Sequence, residues 1–398
     1  MDLFKYFVVC CYFLGRGFDY VHTACTLCLN TDFGTPSPVY LQNGEFLVPN
    51  KTSSDIYLKR SETLLIACPG DKRHVVLANN SAHSNVVEAH CINNDTFRVD
   101  RWIGHFKDIR CNNQPWFTTE ETGESCYQGG RVYRVGYQIQ KRFHTLYEAC
   151  FDQANAHTHY VKHHLSPGAM ITQNGTRPQF IEGNLFGKVR MAELYKVKNQ
   201  KEQLDDILGS GMADNYLTKK EFLTRGHLAA RADFNLRAEQ RASFHYINTA
   251  PQWFRGNAGD WAALEDAVRR RVDAQDSGLL IYTGTHGVLT LLDSGGNFRD
   301  IYLTADENNN PIVPVPMYYY KLVYDPKKRT AAAFVSINSS FFNKTITTRL
   351  TFCDAECSRH NWLKWRSNDG TFSFCCDYDD FVDKISYLPK LDVRGIFY

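Results

Sequence analysis

The stretch from Phe222 to Arg271 limits the folds open to this chain more than any other, because it sets His227, Asn248, Asn257, Glu265 and Arg269 among residues that must pack. Its second half has the period of a helix. Trp261, Leu264, Val268 and Val272 recur on one apolar face, with Asp260 and Glu265 early and Arg269, Arg270 and Arg271 late, as the helix dipole favours. A helix beginning at Asn257 points that residue along the same apolar stripe, where an amide is costly unless something pairs with it. Glu265 and Arg269 then lie one turn apart on the neighbouring flank. Read alone, this is a capped helix with an ordinary i, i+4 ion pair.

The first half changes that reading. Thr224-Arg225-Gly226-His227 follows an apolar, aromatic run and precedes small residues, which sets the histidine at a strand end or in a tight loop. A neutral imidazole there can take a proton from an attacking water near pH 7. A lone Gly-His dipeptide more often marks a turn with a surface histidine. Here, however, Arg225-Gly226-His227 is followed by Asn248-Thr249-Ala250-Pro251-Gln252, then Asn257, Glu265 and Arg269. In residue type and spacing this set resembles the DNA/RNA non-specific endonuclease family, whose core is a ββα-metal motif, and within it the secreted arthropod arm.

The resemblance implies a role for each position. His227 is the general base. Asn257 is the one direct protein ligand of a hydrated Mg2+, with Mn2+ as the alternative ion. Glu265 holds metal-bound waters, Arg225 and Arg269 contact phosphate, and Asn248 supports the site from behind. A hydrated Mg2+ keeps most of its waters and needs few protein oxygens, which agrees with so short a ligand set. The family's motif begins with aspartate, and this chain has Thr224 instead, so metal affinity or histidine orientation is expected to differ. For the family's further upstream phosphate-binding arginine the candidate is Arg190.

The rest of the chain supplies context. Met1 to Ala24, with Lys5 ahead of the apolar run Tyr6 to Leu14, reads as a secretory signal peptide, with cleavage near Ala24 or nearer Gly17. No later stretch reaches the ~20 apolar residues of a membrane helix, so a soluble, exported protein is expected. Apart from Cys10 and Cys11, eleven cysteines remain, and in an exported chain most should be disulfide-bonded with one left over. Adjacent Cys375 and Cys376 should bond to different partners, Cys353 and Cys357 being nearest. A zinc site built from these four is the rival, but the spacing is not that of a finger. N-glycosylation sequons stand at Asn50, Asn79, Asn94, Asn174, Asn338 and Asn343.

Residues 25–130, rich in Cys, Asn, Thr and Ser with short β-prone runs at Thr63–Ala67 and His74–Leu77, read as a disulfide-stapled β module. A nuclease domain is expected over 131–398. In it, Val132–Ile139 alternates like a strand, Thr145–Asn155 reads as a helix, and Leu204–Tyr216 as a loop or short helix. Gly278–Thr285, Val313–Tyr324 and Ala331–Asn338 read as strands. His157, His159, His163 and His164 lack the H-E-x-x-H pattern and read as a solvated, histidine-rich face.

The resulting expectation is an α+β fold: a ββα-metal nuclease core with a central antiparallel sheet flanked by helices, plus the N-terminal disulfide-rich β module. Net charge is only +2, yet residues 219–271 carry ten Lys/Arg against six acids, which concentrates positive charge where a phosphate backbone would lie. Trp253 and Phe254 read as core rather than as a base-stacking pair. Function is then a secreted endonuclease of DNA, double-stranded DNA above all, with RNA as a second substrate and 5′-phosphate ends as the family leaves. The competing reading is a catalytically reduced nucleic-acid-binding or partner-binding protein on the same scaffold, for which Thr224 is the only support.

Overall fold

The computed structural model describes residues 23–78, 80–81, 84–354, 357–366 and 371–398. The expected signal peptide falls, apart from its last two residues, outside them. The chain divides into two compact units after Trp116.

The first unit is built from short antiparallel strands. Its largest sheet has six, in the order Trp102–His105, Thr96–Val99, Val86–Asn93, Thr63–Ala67, Val39–Gln42 and Glu45–Phe46. Phe33, Tyr40, Phe97 and Phe106 pack ring against ring at its centre, and disulfides Cys25–Cys91 and Cys68–Cys111 tie the strands together. The division into compact units falls ahead of the expected 130/131 boundary, because the next strand, β1 (Thr118–Ser125), pairs forward into the second unit.

That unit is organised by one nine-stranded sheet. After β1 come β2 (Arg131–Ile139), β3 (Arg142–Asp152) and β4 (His157–Leu165), a meander of antiparallel hairpins. Helix α1 (Val197–Leu208), hairpin β5 (Leu223–His227) and β6 (Thr249–Trp253) with α2 (Arg237–Ala242) between them, and helix α3 (Ala262–Asp273) interrupt it. The sheet resumes with β7 (Leu279–Val288), β8 (Pro316–Asp325), β9 (Thr330–Ile337) and β10 (Phe372–Cys376), in the order β1-β2-β3-β4-β7-β8-β9-β10, and a short β11 (Gly395–Ile396) runs parallel to β9. Every residue of β8 is buried, as a strand covered on both faces requires. Alternation sends Tyr320 to one face, against Phe381, and Lys321 to the other, over the Trp261 ring. The fold is α+β, as expected.

Three local expectations are corrected. Thr145–Asn155 is not a helix: β3 is hydrogen-bonded to strands on both sides, and this pairing overrides the helical spacing of its apolar residues. The histidine run is not a solvated face, since on β4 His159 and His163 are each only 2 % exposed. The zinc rival also fails, because Cys353–Cys376 and Cys357–Cys375 are disulfides, giving the vicinal cysteines different partners. With Cys126–Cys150 added, Cys28 is the cysteine of the eleven that lies outside the five disulfides. Asn338 is a poor glycan acceptor, being buried with its amide bonded to the Pro251 and Pro316 carbonyls.

Candidate active site

The hairpin and the helix that follows it bring the expected residues into one ββα unit. The register pairs Thr224 with Gln252, Arg225 with Pro251, and His227 with Thr249. Gln200 on α1 anchors the hairpin's outer edge, its side chain both accepting from and donating to the Leu223 backbone at 2.9 Å. Close packing requires Gly226: a Cβ there would lie 2.4 Å from Gln252 Oε1 and 2.6 Å from the Tyr319 hydroxyl. After β6 the chain makes a wide, π-type turn over Asn257–Trp261, and Trp261 at its end is buried together with Leu264, Val268 and Val272 of α3, as their spacing predicts. Trp253 is core, whereas Phe254 is exposed and stacks on Phe222, so the expectation holds for only one of the pair.

Arg225 and His227 share one face of β5 and bracket the Phe180 ring. The Arg225 guanidinium donates to the Tyr246 hydroxyl at 2.8 Å and lies against Tyr195, Tyr246 and Phe180. The His227 ring sits between Phe180 and Phe244, and among the described residues its buried Nε2 has no hydrogen-bond partner. Burial first, then the charges of Arg177 and Arg231, pull this imidazole down to about 3, so it is neutral at physiological pH. Asn248 is fully buried and clamps the segment after the histidine: its Oδ1 accepts from Ala229 N, and its Nδ2 donates to the Ala229 and Ser243 carbonyls.

On the helix side, Asn257 Nδ2 donates to Thr224 Oγ1 at 2.9 Å, and that hydroxyl donates to the Gln252 carbonyl at 2.8 Å. Glu265 is half-buried, and burial pushes its carboxyl up to about 7. Arg269 is only 7 % exposed and is committed to Asp233 at 2.9 Å and Asp266 at 3.1 Å. The phosphate contact expected of Arg269 does not fit that burial; the side chain braces the site from beneath. Asp233 also accepts from His163 Nε2 at 3.0 Å. Burial pushes Asp233 up, but the His163 hydrogen bond and the charges of Arg269 and Lys321 outweigh it and hold the carboxyl well below the usual range.

The family model for DNA/RNA non-specific endonucleases matches residues 128–381. The chain belongs to that family. It is similar to a salivary endonuclease of Lutzomyia longipalpis, 31 % identical over 89 % of this chain and 81 % of that one. It also resembles the salivary protein Tsal2A of Glossina morsitans morsitans, 23 % identical over 87 % and 89 % of the two chains. A solved EndoG/EndoGI complex aligns at 21 % identity and TM-score 0.34, covering 51 % of this chain and 76 % of that one. Membership makes the protein an endonuclease acting on nucleic acid, in a family that depends in general on a divalent metal. Salivary relatives and the five disulfides point to an exported protein. Among the described residues no helix is long and apolar enough to cross a membrane.

Within this endonuclease the residues fit a hydrated ion better than a caged one. Among the described residues no three His, Cys, Asp or Glu side chains form a metal-holding group, while the Asn257 amide is oriented by Thr224 with its oxygen left over. Four contributors escape the sequence reading. Asp233 and His163 are brought together from β4 and the segment after β5, with no sequence spacing to announce them. Lys321 arrives from β8, donates to Thr283 at 2.6 Å and faces Asp233 and Glu265. Arg177 lies over Phe244 beside His227, whereas Arg190, the expected phosphate reader, is a surface residue 3.8 Å from Glu182.

Proposed function

We propose that this protein is an exported, Mg2+-dependent endonuclease that hydrolyses phosphodiester bonds of DNA, double-stranded DNA above all and RNA second, with little sequence preference and 5′-phosphate products. The observation that carries the reading is His227 Nε2: buried, neutral, without a hydrogen-bond partner among the described residues, and flanked by Arg177 and Arg231. An unpaired imidazole nitrogen among cations suits a base that meets water only when an anionic phosphate enters. His227 accepts the proton of the attacking water. Arg225, its direction fixed by Tyr246 and three aromatic faces, and Arg177 hold phosphate oxygens. Asn257 presents its oxygen to the metal, and Glu265 holds metal-bound water. When bound, the cation supplies charge stabilisation to the developing phosphorane and the departing oxygen. Mn2+ can replace it in the same ligand set. Contacts to backbone phosphate rather than base edges give the limited sequence preference.

The test is plasmid digestion with Mg2+, with EDTA, and with His227→Ala. The expected result is cutting that EDTA abolishes and that the variant loses by roughly 10²- to 10⁴-fold. Undiminished cutting by His227→Ala would overturn the assignment of the base. A plasmid bound tightly but left intact would favour the catalytically reduced binding protein. Products that ligate without prior phosphorylation would support the 5′-phosphate ends.

A further inference from the structure

Thr224 stands where the family motif has a carboxylate, and its hydrogen bonds show what it does instead. A threonine hydroxyl has a single proton to donate. Here that proton goes to the Gln252 carbonyl at 2.8 Å. The oxygen can then only accept from Asn257, so the nitrogen of the Asn257 amide must face it, at 2.9 Å. A flipped amide would set oxygen against oxygen. The Asn257 Oδ1 is therefore turned away from Thr224, by a constraint that any acceptor would supply but that a carboxylate would supply together with a charge. Both residues are neutral. The Asp233 carboxylate is already matched by Arg269 and His163, and the buried Lys321 faces both Asp233 and Glu265.

We propose that Thr224 is a positioning residue that aims the Asn257 oxygen at the metal without contributing the charge a carboxylate would bring, so that the phosphate of bound nucleic acid supplies that missing negative charge and metal and substrate bind cooperatively. This rests on the proposed metal-dependent nuclease reading. By linkage, each ligand raises the affinity of the other by the same factor.

The measurement is Mn2+ binding, followed by electron paramagnetic resonance, to the full protein with and without a phosphorothioate oligonucleotide that resists cleavage. Wild type is expected to bind free Mn2+ weakly and to gain at least ~10-fold when the oligonucleotide is present, within the usual range of coupling between two ligands. Thr224→Val, which cannot accept from Asn257, should weaken Mn2+ binding in both states, and Thr224→Ser should restore it. Thr224→Asp should bind free Mn2+ more tightly and show less gain from the oligonucleotide. Circular dichroism of each variant separates these effects from misfolding. Equal Mn2+ affinity with and without oligonucleotide, or wild-type Mn2+ binding by folded Thr224→Val, would overturn the inference while leaving a metal-dependent nuclease intact. No Mn2+ binding in any state, together with cutting that resists EDTA, would overturn both.

Discussion

Replacing Asp233 with asparagine changes one atom and tests whether the cluster beneath the site is held by charge. The carboxylate accepts from Arg269 at 2.9 Å and from His163 at 3.0 Å, and its side chain is only 5 % exposed. Solvent does little to screen such a pair, and removing one partner of a buried ion pair typically costs about 3–5 kcal/mol because the other charge stays buried. At ~2–4 °C per kcal/mol for a large domain, that loss is a fall of roughly 6–20 °C in Tm. Calorimetry at pH 7, with disulfides intact, reads it directly. Arg269→Met removes the stranded charge, so the double variant should lose less than the sum of the singles by at least ~1 kcal/mol. The pH dependence has a definite sign. Because the folded Asp233 carboxyl is depressed, its contribution is present above the unfolded value of about 3.9 and fades as pH falls through the depressed one. The difference between wild type and variant should therefore hold steady from pH 8 to 5 and shrink only in acid. A Tm within about 2 °C of wild type, or strictly additive single and double variants, would refute the account.

Gly226→Ala should cost roughly 1–3 kcal/mol and most of the activity, because the added methyl meets Gln252 and Tyr319 inside the hairpin; chemical denaturation and plasmid cutting check both. Glu239 on α2 is 5 % exposed, and burial pushes its carboxyl up to about 8 in the folded state, against ~4.3 in the unfolded chain. The stability it lends is thus present below the unfolded value and lost as pH rises through 8, so Glu239→Gln should be more stable than wild type by ~1 kcal/mol or more at pH 8 and show no gain near pH 4; equal stability at pH 8 would count against the burial argument.

What was legible in the sequence was what a local period or a fixed spacing can encode. The apolar stripe of α3 appeared because a helix repeats its buried face within a dozen residues. The Arg225-Gly226-His227 and Asn248 positions appeared because their spacing along the chain matches a known motif, and in the fold Asn248 is locked to Ala229 across the connection that carries α2. β3 was misread because a central strand takes its identity from neighbours on both sides, and those lie elsewhere in the chain. Asp233, His163 and Lys321 stayed hidden for the same reason: each comes from a different element, and only the packing of β4, the β5–β6 connection and β8 makes them partners. Arg269 shows the remaining hazard. Its position was legible, but whether it faces solvent or Asp233 depends on burial that spacing does not specify.

The placement of positive charge bears on how an imidazole pulled down to about 3 would serve as the proposed base. Among the described residues Arg177, Arg225 and Arg231 form no ion pair: their partners are the Phe244 face, the Tyr246 hydroxyl with its aromatic neighbours, and the Ala192, Gln240 and Gly175 oxygens. Arg269 and Arg270, by contrast, are spent on Asp233 and Asp266. Unbalanced cations therefore collect beside His227, and two of them, Arg177 and Arg231, are among the causes of its depression. A base this weak transfers protons poorly, since efficiency needs a pKa near the working pH. A phosphate backbone entering the cluster cancels those same charges and brings anions to the ring, and both effects raise the imidazole. On the proposed mechanism the substrate thereby strengthens the base that deprotonates the attacking water, and the histidine stays unprotonated until the substrate arrives. Burial alone would depress His227 just as firmly with nucleic acid bound. The two accounts separate in an NMR titration of the His227 ring: an upward shift with a non-cleavable oligonucleotide, reduced in Arg177→Gln, supports neutralisation, and an unmoved titration would leave burial as the sole cause.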